Sequence, residues 1–159
     1  MGTALLSLCT VMTAILPMNE NQKQRVCLYE EQIVREAEKN ELDPYLFASL
    51  IYVESAFYPK VVSKANACGL TQVIPKYTGG PETGFKKYTC NQLKNPKTSI
   101  KVGAKILKYI VDNYAGGNMD KALCIYNAGV ICMKKKKLYK KSRYVKKVRR
   151  IWDEITDGC

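Results

Sequence analysis

Histidine is absent from this chain of 159 residues, and its absence excludes several kinds of active site. Ser-His-Asp triads and Cys-His nucleophile pairs need an imidazole to move a proton, and His-rich zinc sites need it as a ligand. Carboxylates are therefore the first candidates for acid–base chemistry. The sequence predicts no metal and no cofactor.

Acidic residues are missing from residues 134 to 150, a segment that holds eleven Lys and Arg. It supplies almost all of the net charge of +12, so the rest of the chain is nearly neutral. Such a segment can bind a polyanion such as nucleic acid, lipopolysaccharide, acidic phospholipid or peptide carboxylates, or it can be a solvated helix without a partner. No nucleic-acid-binding motif accompanies it, so we expect no nucleic acid partner.

A long apolar run is also lacking, since the stretch from Thr3 to Leu16 is only fourteen residues. That is short for a membrane span and suits the core of a signal peptide, although no Lys or Arg precedes Lys23. We interpret residues 1–22 as an apolar leader and spacer that directs export. Translation from Met12 or Met18, or an uncleaved anchor, are the alternatives.

Cysteine is well represented, with seven residues and no Cys-x-x-Cys pair. Removal of the leader with Cys9 would leave six, enough for three disulfides in an exported protein. Buried free thiols are the alternative. The seven positions are Cys9, Cys27, Cys68, Cys90, Cys124, Cys132 and Cys159.

Apolar periodicity predicts five helices and little strand, which indicates one mainly α domain over residues 24–155. The helices are expected at about 24–39, from Asp43 to Ser55, from Thr98 or Ser99 to the Gly116-Gly117 pair, at about 119–126, and from Ser142 onward. Residues 56 to 98 are rich in Pro, Gly, Asn and Thr, and a long irregular stretch is typical of a binding or catalytic region.

Glu54 lies on the predicted buried stripe of the second helix. Asp43 as N-cap and Pro44 at the first helical position open this helix. Leu50 and Ile51 then share a face with Glu54 at spacings of four and three. Burial favours the protonated carboxyl and raises its pKa, which suits an acid that protonates a leaving oxygen near neutral pH. An exposed acid paired with a lysine is the alternative.

Four motifs around and beyond Glu54 resemble the catalytic domain of the soluble lytic transglycosylase family, relatives of goose-type lysozyme that cleave the glycan of peptidoglycan. The motifs are Glu54-Ser55, Val62-Ser63, the run from Ala67 to Pro75, and Tyr126-Asn127-Ala128-Gly129. They stand in the family's order, and the resemblance covers roughly residues 30 to 152. It implies a lysozyme-like domain with a long irregular substrate-binding segment.

The resemblance also implies roles for individual residues. Glu54 would first protonate the glycosidic oxygen between N-acetylmuramic acid and N-acetylglucosamine, then take the proton of the C6 hydroxyl that attacks C1. No second acid is apparent, since residues 56 to 98 contain only Glu82. The expected substrate-binding residues are Ser63 near the N-acetyl group, Gln72 and Asn127 along the cleft, Tyr126 close to Glu54, and Tyr144 at the cleft border.

Some positions depart from the family pattern. Thr71 and Ile74 stand where the family usually has methionine, and Val130 where it has proline, while Asn66 and Ile125 replace smaller residues. These positions are mostly on the cleft wall. The departures therefore concern the sugar subsites, whereas Glu54 and its neighbours follow the pattern.

Other functions stay open at this point. A muramidase would cleave the same bond with water and need a second carboxylate. A non-catalytic wall-binding protein would not need Glu54, and a membrane-disrupting or nucleic-acid-binding protein would act through residues 134–150. We favour an exported, monomeric enzyme of the periplasm or cell envelope that binds a peptidoglycan strand and, through its basic segment, an anionic envelope surface. Its small size and basic segment favour a phage-encoded lysin or virion protein over a bacterial one.

Overall fold

A computed structural model describes residues 6–80, 86–135 and 137–157 as a set of helices around one main hydrophobic core. The α-helices are α1 (Leu8–Ile15), α2 (Glu20–Lys39), α3 (Pro44–Ser55), α4 (Cys90–Leu93), α5 (Pro96–Asn113), α6 (Met119–Ala128), α7 (Val130–Lys134) and α8 (Arg143–Asp157). Two 3₁₀ turns lie at Pro75–Tyr77 and Leu138–Lys141. The mainly α prediction is confirmed. Within these ranges, no helix is both long and apolar enough to cross a bilayer.

Helix α1 occupies the sequence interpreted as a leader, and in the structure it packs on the other helices. Its side chains Leu8, Val11 and Met12 are buried in the main core together with Leu16, which follows the helix. The helix packs against α2 and α8. Cys9 forms a disulfide with Cys27 of α2, a pairing that the sequence left open.

Helix α2 begins at Glu20, four residues before the predicted start, because Asn19 and Gln22 form a capping box. The Asn19 side chain accepts a hydrogen bond from the Gln22 amide, and the Gln22 side chain accepts one from the Asn19 amide. Helix α5 likewise begins early, at Pro96, with Asn95 as its N-cap. In both cases an asparagine assigned to a spacer or loop opens the helix.

Helix α3 begins as predicted, with Pro44 in the first turn and the Asp43 carboxylate accepting hydrogen bonds from the Tyr45 and Leu46 amides. It ends directly after Ser55, where Ala56 and Phe57 both adopt left-handed backbone conformations with φ of 51° and 64°. Non-glycine residues there cost about 1–2 kcal/mol each. The Phe57 side chain is fully buried, which stabilises this turn.

Within its described residues, 56–80 and 86–98, the predicted irregular segment contains a 3₁₀ turn, helix α4, the first residues of α5 and two isolated bridges that join Cys68 to Val62 and Val73. A disulfide between Cys68 and Cys90 ties its first half to α4. Gly69 lies so close to α4 that an added Cβ would be 1.9 Å from the Leu93 carbonyl oxygen, so only glycine fits there. The loop of residues 56–80 thus packs against α4 and α5, and Glu82 lies outside the described residues.

Candidate active site

Glu54 lies in the last turn of α3, beside the N-terminal end of α8, which packs along α3. Burial raises the pKa of its carboxyl to about 7, and a hydrogen bond from Tyr144 opposes that rise. An ordinary glutamate is almost fully ionised at pH 7, whereas Glu54 is about half protonated. It can therefore give and take a proton near neutral pH, as an acid–base catalyst must.

Tyr144 is the direct partner of this carboxyl. Its hydroxyl donates a hydrogen bond to Glu54 Oε1 at 2.6 Å. Burial and the neighbouring Glu54 raise the pKa of Tyr144 well above its ordinary value, so the phenol stays protonated and remains a donor. Tyr144 was predicted at the cleft border, and in the structure its hydroxyl contacts the Glu54 carboxyl.

Tyr126 is close to Glu54, as predicted, but its hydroxyl is engaged elsewhere. It donates to the Thr71 carbonyl oxygen at 2.6 Å. Burial and then the Glu54 carboxylate raise the Tyr126 pKa. Tyr144, and not Tyr126, therefore orients the carboxyl, while Tyr126 links α6 to the loop.

Thr71 connects the loop to α5, a role that sequence reasoning missed. Its hydroxyl donates to the Ser99 carbonyl oxygen at 2.8 Å, and its amide donates to Ser99 Oγ at 3.1 Å. An added Cβ at Gly103 would lie 2.5 Å from the Thr71 Cβ. A methionine would keep the bond from its amide but would lack the hydroxyl, so threonine at this position adds a side-chain hydrogen bond from the loop to Ser99. The buried Ser99 at the start of α5 was the available signal.

Gln72 is oriented mainly by the loop itself. Its amide nitrogen donates to the Val61 and Gly69 carbonyl oxygens at 3.1 and 2.9 Å. The expectation that the whole amide serves sugar hydroxyls is therefore too broad, since both amide hydrogens have partners. Its amide oxygen keeps the capacity to accept a hydrogen bond from a sugar.

Ser63 and Asn127 differ in how firmly they are held. Ser63 Oγ accepts a hydrogen bond from the Ala67 amide at 3.1 Å, so the serine shapes a turn while its own hydroxyl hydrogen stays available. Asn127 is exposed near the end of α6, next to Tyr126. Neither residue touches Glu54 through a hydrogen bond within the described part of the chain.

A second carboxylate does not contribute to the electrostatics of Glu54 in the described ranges. The two causes of its pKa shift are burial and Tyr144. A retaining hydrolase would place another carboxylate about 5–5.5 Å away, and two such groups raise one another's pKa. Within the described residues, the site is therefore built around one acid, Glu54, and one phenol donor, Tyr144.

The arrangement of the helices is similar to that of a protein of known structure. The 70 kDa soluble lytic transglycosylase of Escherichia coli superposes with a TM-score of 0.69 over 82% of this chain and 24% of that chain. Sequence identity is 23%. The likeness establishes a lysozyme-like helical fold.

The family model of the transglycosylase SLT domain matches residues 31–148. The chain belongs to this family. It is 32% identical over 132 residues to the membrane-bound lytic murein transglycosylase C of Glaesserella parasuis serovar 5, covering 76% of this chain and 36% of the relative. It is 33% identical over 89 residues to the endo-type membrane-bound lytic murein transglycosylase A of Salmonella paratyphi B, covering 54% of this chain and 44% of the relative. The chain thus spans less than half the length of these relatives.

Proposed function

We propose that this protein is a lytic transglycosylase that cleaves the β-1,4 bond between N-acetylmuramic acid and N-acetylglucosamine in peptidoglycan. The observation that carries the proposal is Glu54, a single acid with a pKa of about 7 that is oriented by Tyr144. Family membership and the names of the relatives, which are murein transglycosylases, support the same substrate.

The proposed reaction has two proton transfers at one carboxyl. Protonated Glu54 gives its proton to the glycosidic oxygen as the bond from that oxygen to C1 of the muramyl sugar breaks. The sugar's C6 hydroxyl then forms a new bond to C1, and its proton passes to the Glu54 carboxylate. The acid is regenerated, no water is consumed, and the product is a 1,6-anhydromuramyl end. One carboxyl with a pKa close to the working pH suits both steps.

Tyr144 is expected to hold Glu54 in the geometry of both steps. Its hydrogen bond favours the carboxylate, so it keeps the pKa lower than burial alone would set it. The loop pinned by Thr71 and Ser99, with the free oxygen of Gln72 and the hydroxyl of Ser63, would bind the glycan beside this pair. Asn127 and Tyr126 complete the proposed substrate-binding set.

The protein is expected to act at the cell envelope, where its substrate lies. Three disulfides join Cys9 to Cys27, Cys68 to Cys90, and Cys124 to Cys132, and disulfides persist in oxidising compartments. They support export. A signal peptide, a monomeric state and a phage origin stay predictions from the sequence.

Mass spectrometry of the fragments released from purified peptidoglycan tests the proposed reaction. We expect soluble fragments that end in 1,6-anhydromuramic acid. Reducing muramyl ends, heavier by one water, would instead identify a muramidase, and the second carboxylate would then be sought among the residues outside the described ranges, such as Glu82. Absence of fragments would identify a wall-binding protein.

The pH profile of cleavage gives an independent prediction. Because Glu54 must start protonated, kcat/KM should fall as the pH rises through about 7. In Tyr144→Phe the carboxylate loses its donor, so the alkaline limb should move to higher pH while kcat falls roughly 10- to 100-fold. Tyr139→Phe, a change at a partly buried tyrosine in the same segment, is the matched control. An unchanged alkaline limb in Tyr144→Phe would show that this hydrogen bond does not set the pKa.

A further inference from the structure

The order of the charged residues along α8 is unfavourable for the helix dipole. Its first half carries Arg143, Lys146 and Lys147, and its last two turns carry Glu154 and Asp157. A helix dipole favours acids at the N-terminus and cations at the C-terminus, which is the opposite order. This helix has no acid in its first turn and no base in its last. The cations are therefore not explained by helix stability.

These cations belong to a larger exposed set, which we call the basic face. Its cationic members are Lys134, Lys135, Lys137, Lys140, Lys141, Arg143, Lys146, Lys147 and Arg150, all of them exposed. Arg150 has a weak ion pair, 3.9 Å from Glu154. Across the described ranges, no ion pair or hydrogen bond involves the side chains of the other eight. The basic face thus presents unneutralised charge to its surroundings.

An exposed aliphatic pair adjoins this charge. Val130 and Ile131, at the start of α7, are 56% and 47% exposed. The disulfide between Cys124 and Cys132 ties α7 to α6, so the pair has a fixed place next to the first lysines. Exposed aliphatic side chains beside clustered lysines are the combination that binds at the interface of an anionic bilayer.

We propose that the basic face, with Val130 and Ile131, docks the protein on the anionic phospholipid headgroups of a membrane. Most of its cations are lysines, mobile point charges that suit a diffuse layer of phosphates better than one fixed carboxylate. The aliphatic pair would enter the boundary between headgroups and acyl chains, an apolar contact that a nucleic acid backbone does not offer.

Docking in this way would hold the candidate active site next to the membrane. Tyr144, which donates to Glu54, lies between Arg143 and Lys146 in the chain. Members of the basic face therefore lie within one helical turn of the residue that orients the acid. An enzyme bound to the membrane in this way would reach the glycan strands on the side of the wall that faces the bilayer.

Vesicle flotation with the full chain carrying Glu54→Gln tests docking separately from catalysis. Vesicles of phosphatidylglycerol with phosphatidylcholine should bind the protein, pure phosphatidylcholine vesicles should not, and binding should weaken with added salt. Replacing Lys140, Lys141, Lys146 and Lys147 by Gln should lower the partition coefficient on the order of 100-fold or more. Val130→Ser with Ile131→Ser should lower it roughly 10-fold.

The matched control replaces four exposed lysines elsewhere, Lys39, Lys86, Lys97 and Lys101, by Gln, so the net charge changes equally. Circular dichroism confirms that each variant is folded. If the basic-face variant and the control variant lose vesicle binding equally, only net charge matters and the proposal is overturned. Binding to purified wall or to duplex DNA that depends on the basic face, with no preference for anionic vesicles, would overturn it in favour of those partners.

Discussion

Glu54→Gln is expected to lower kcat/KM for peptidoglycan cleavage by at least about 1000-fold. Glutamine keeps the shape of the side chain and can still accept the hydrogen bond from Tyr144, but it can neither give a proton nor take one. The site has no other carboxylate in the described ranges that could substitute for it. Turbidity loss of purified peptidoglycan measures the effect, and Glu38→Gln at an exposed position of α2 is the control.

The same substitution should stabilise the protein above pH 7. The folded-state pKa of Glu54 is about 7, above its ordinary value of 4.5, so the folded state binds the proton more tightly than the unfolded state. This group therefore leaves folding stability unaffected below pH 4.5, lowers it progressively as the pH rises from 4.5 through about 7, and lowers it by a constant amount above that. Glutamine never ionises, so Glu54→Gln should gain on the order of 2 kcal/mol at pH 8 and little at pH 4. Urea unfolding at both pH values measures the difference.

A loss of activity without a gain in stability at pH 8 would contradict the assignment of a raised pKa. It would mean that Glu54 is ionised at little cost and so is a poor proton donor at neutral pH. A variant that keeps most of its activity would contradict the catalytic role itself, and the glycan would then be cleaved by a group outside the described residues.

Removal of residues 1–17 is expected to abolish cooperative folding. The deletion takes away the buried side chains of Leu8, Val11, Met12 and Leu16, each worth about 1.5–3 kcal/mol when fully buried. The sum is comparable with the roughly 5–15 kcal/mol that stabilises a typical domain. The deletion also removes the disulfide to Cys27. Thermal unfolding followed by circular dichroism measures the effect.

Two variants separate the contributions of helix α1. Cys9→Ala with Cys27→Ala removes the disulfide and leaves the packing, so it should lower the melting temperature while unfolding stays cooperative. Met12→Ala leaves the disulfide and creates a cavity, which should cost about 2–5 kcal/mol. A truncated protein that melts like the full chain would show that α1 is dispensable and that the leader interpretation was right.

The sequence was most informative where local chemistry decides the structure. Asp43 followed by Pro44 fixes the start of α3, and the apolar spacing that follows directs Glu54 toward the core, so both the helix and the raised pKa could be predicted. The apolar stripe of α8 was equally clear, and Ser142 precedes the helix as expected, accepting a hydrogen bond from the Val145 amide at 3.3 Å.

Features that depend on contacts between distant residues were not predictable. The apolar pattern of α1 is the same for a signal peptide and a buried helix, and the pattern does not show that α1 packs on α2 and α8. Tyr126 and Tyr144 are similar as residues, and their partners, Thr71 and Glu54, lie 55 and 90 positions away in the chain. The predicted start of α2 was wrong for a local reason, because Asn19, which forms the capping box, was assigned to a spacer.

Cleavage of purified peptidoglycan in water enriched in the heavy isotope of oxygen tests the single-acid mechanism most directly. If the C6 hydroxyl is the nucleophile, the released muramyl ends contain no solvent oxygen, and Glu54→Gln releases none of them. Muramyl ends that each contain one heavy oxygen would show that water attacks C1. Glu54 would then act with a second group in hydrolysis, contrary to the transglycosylase proposed for this site.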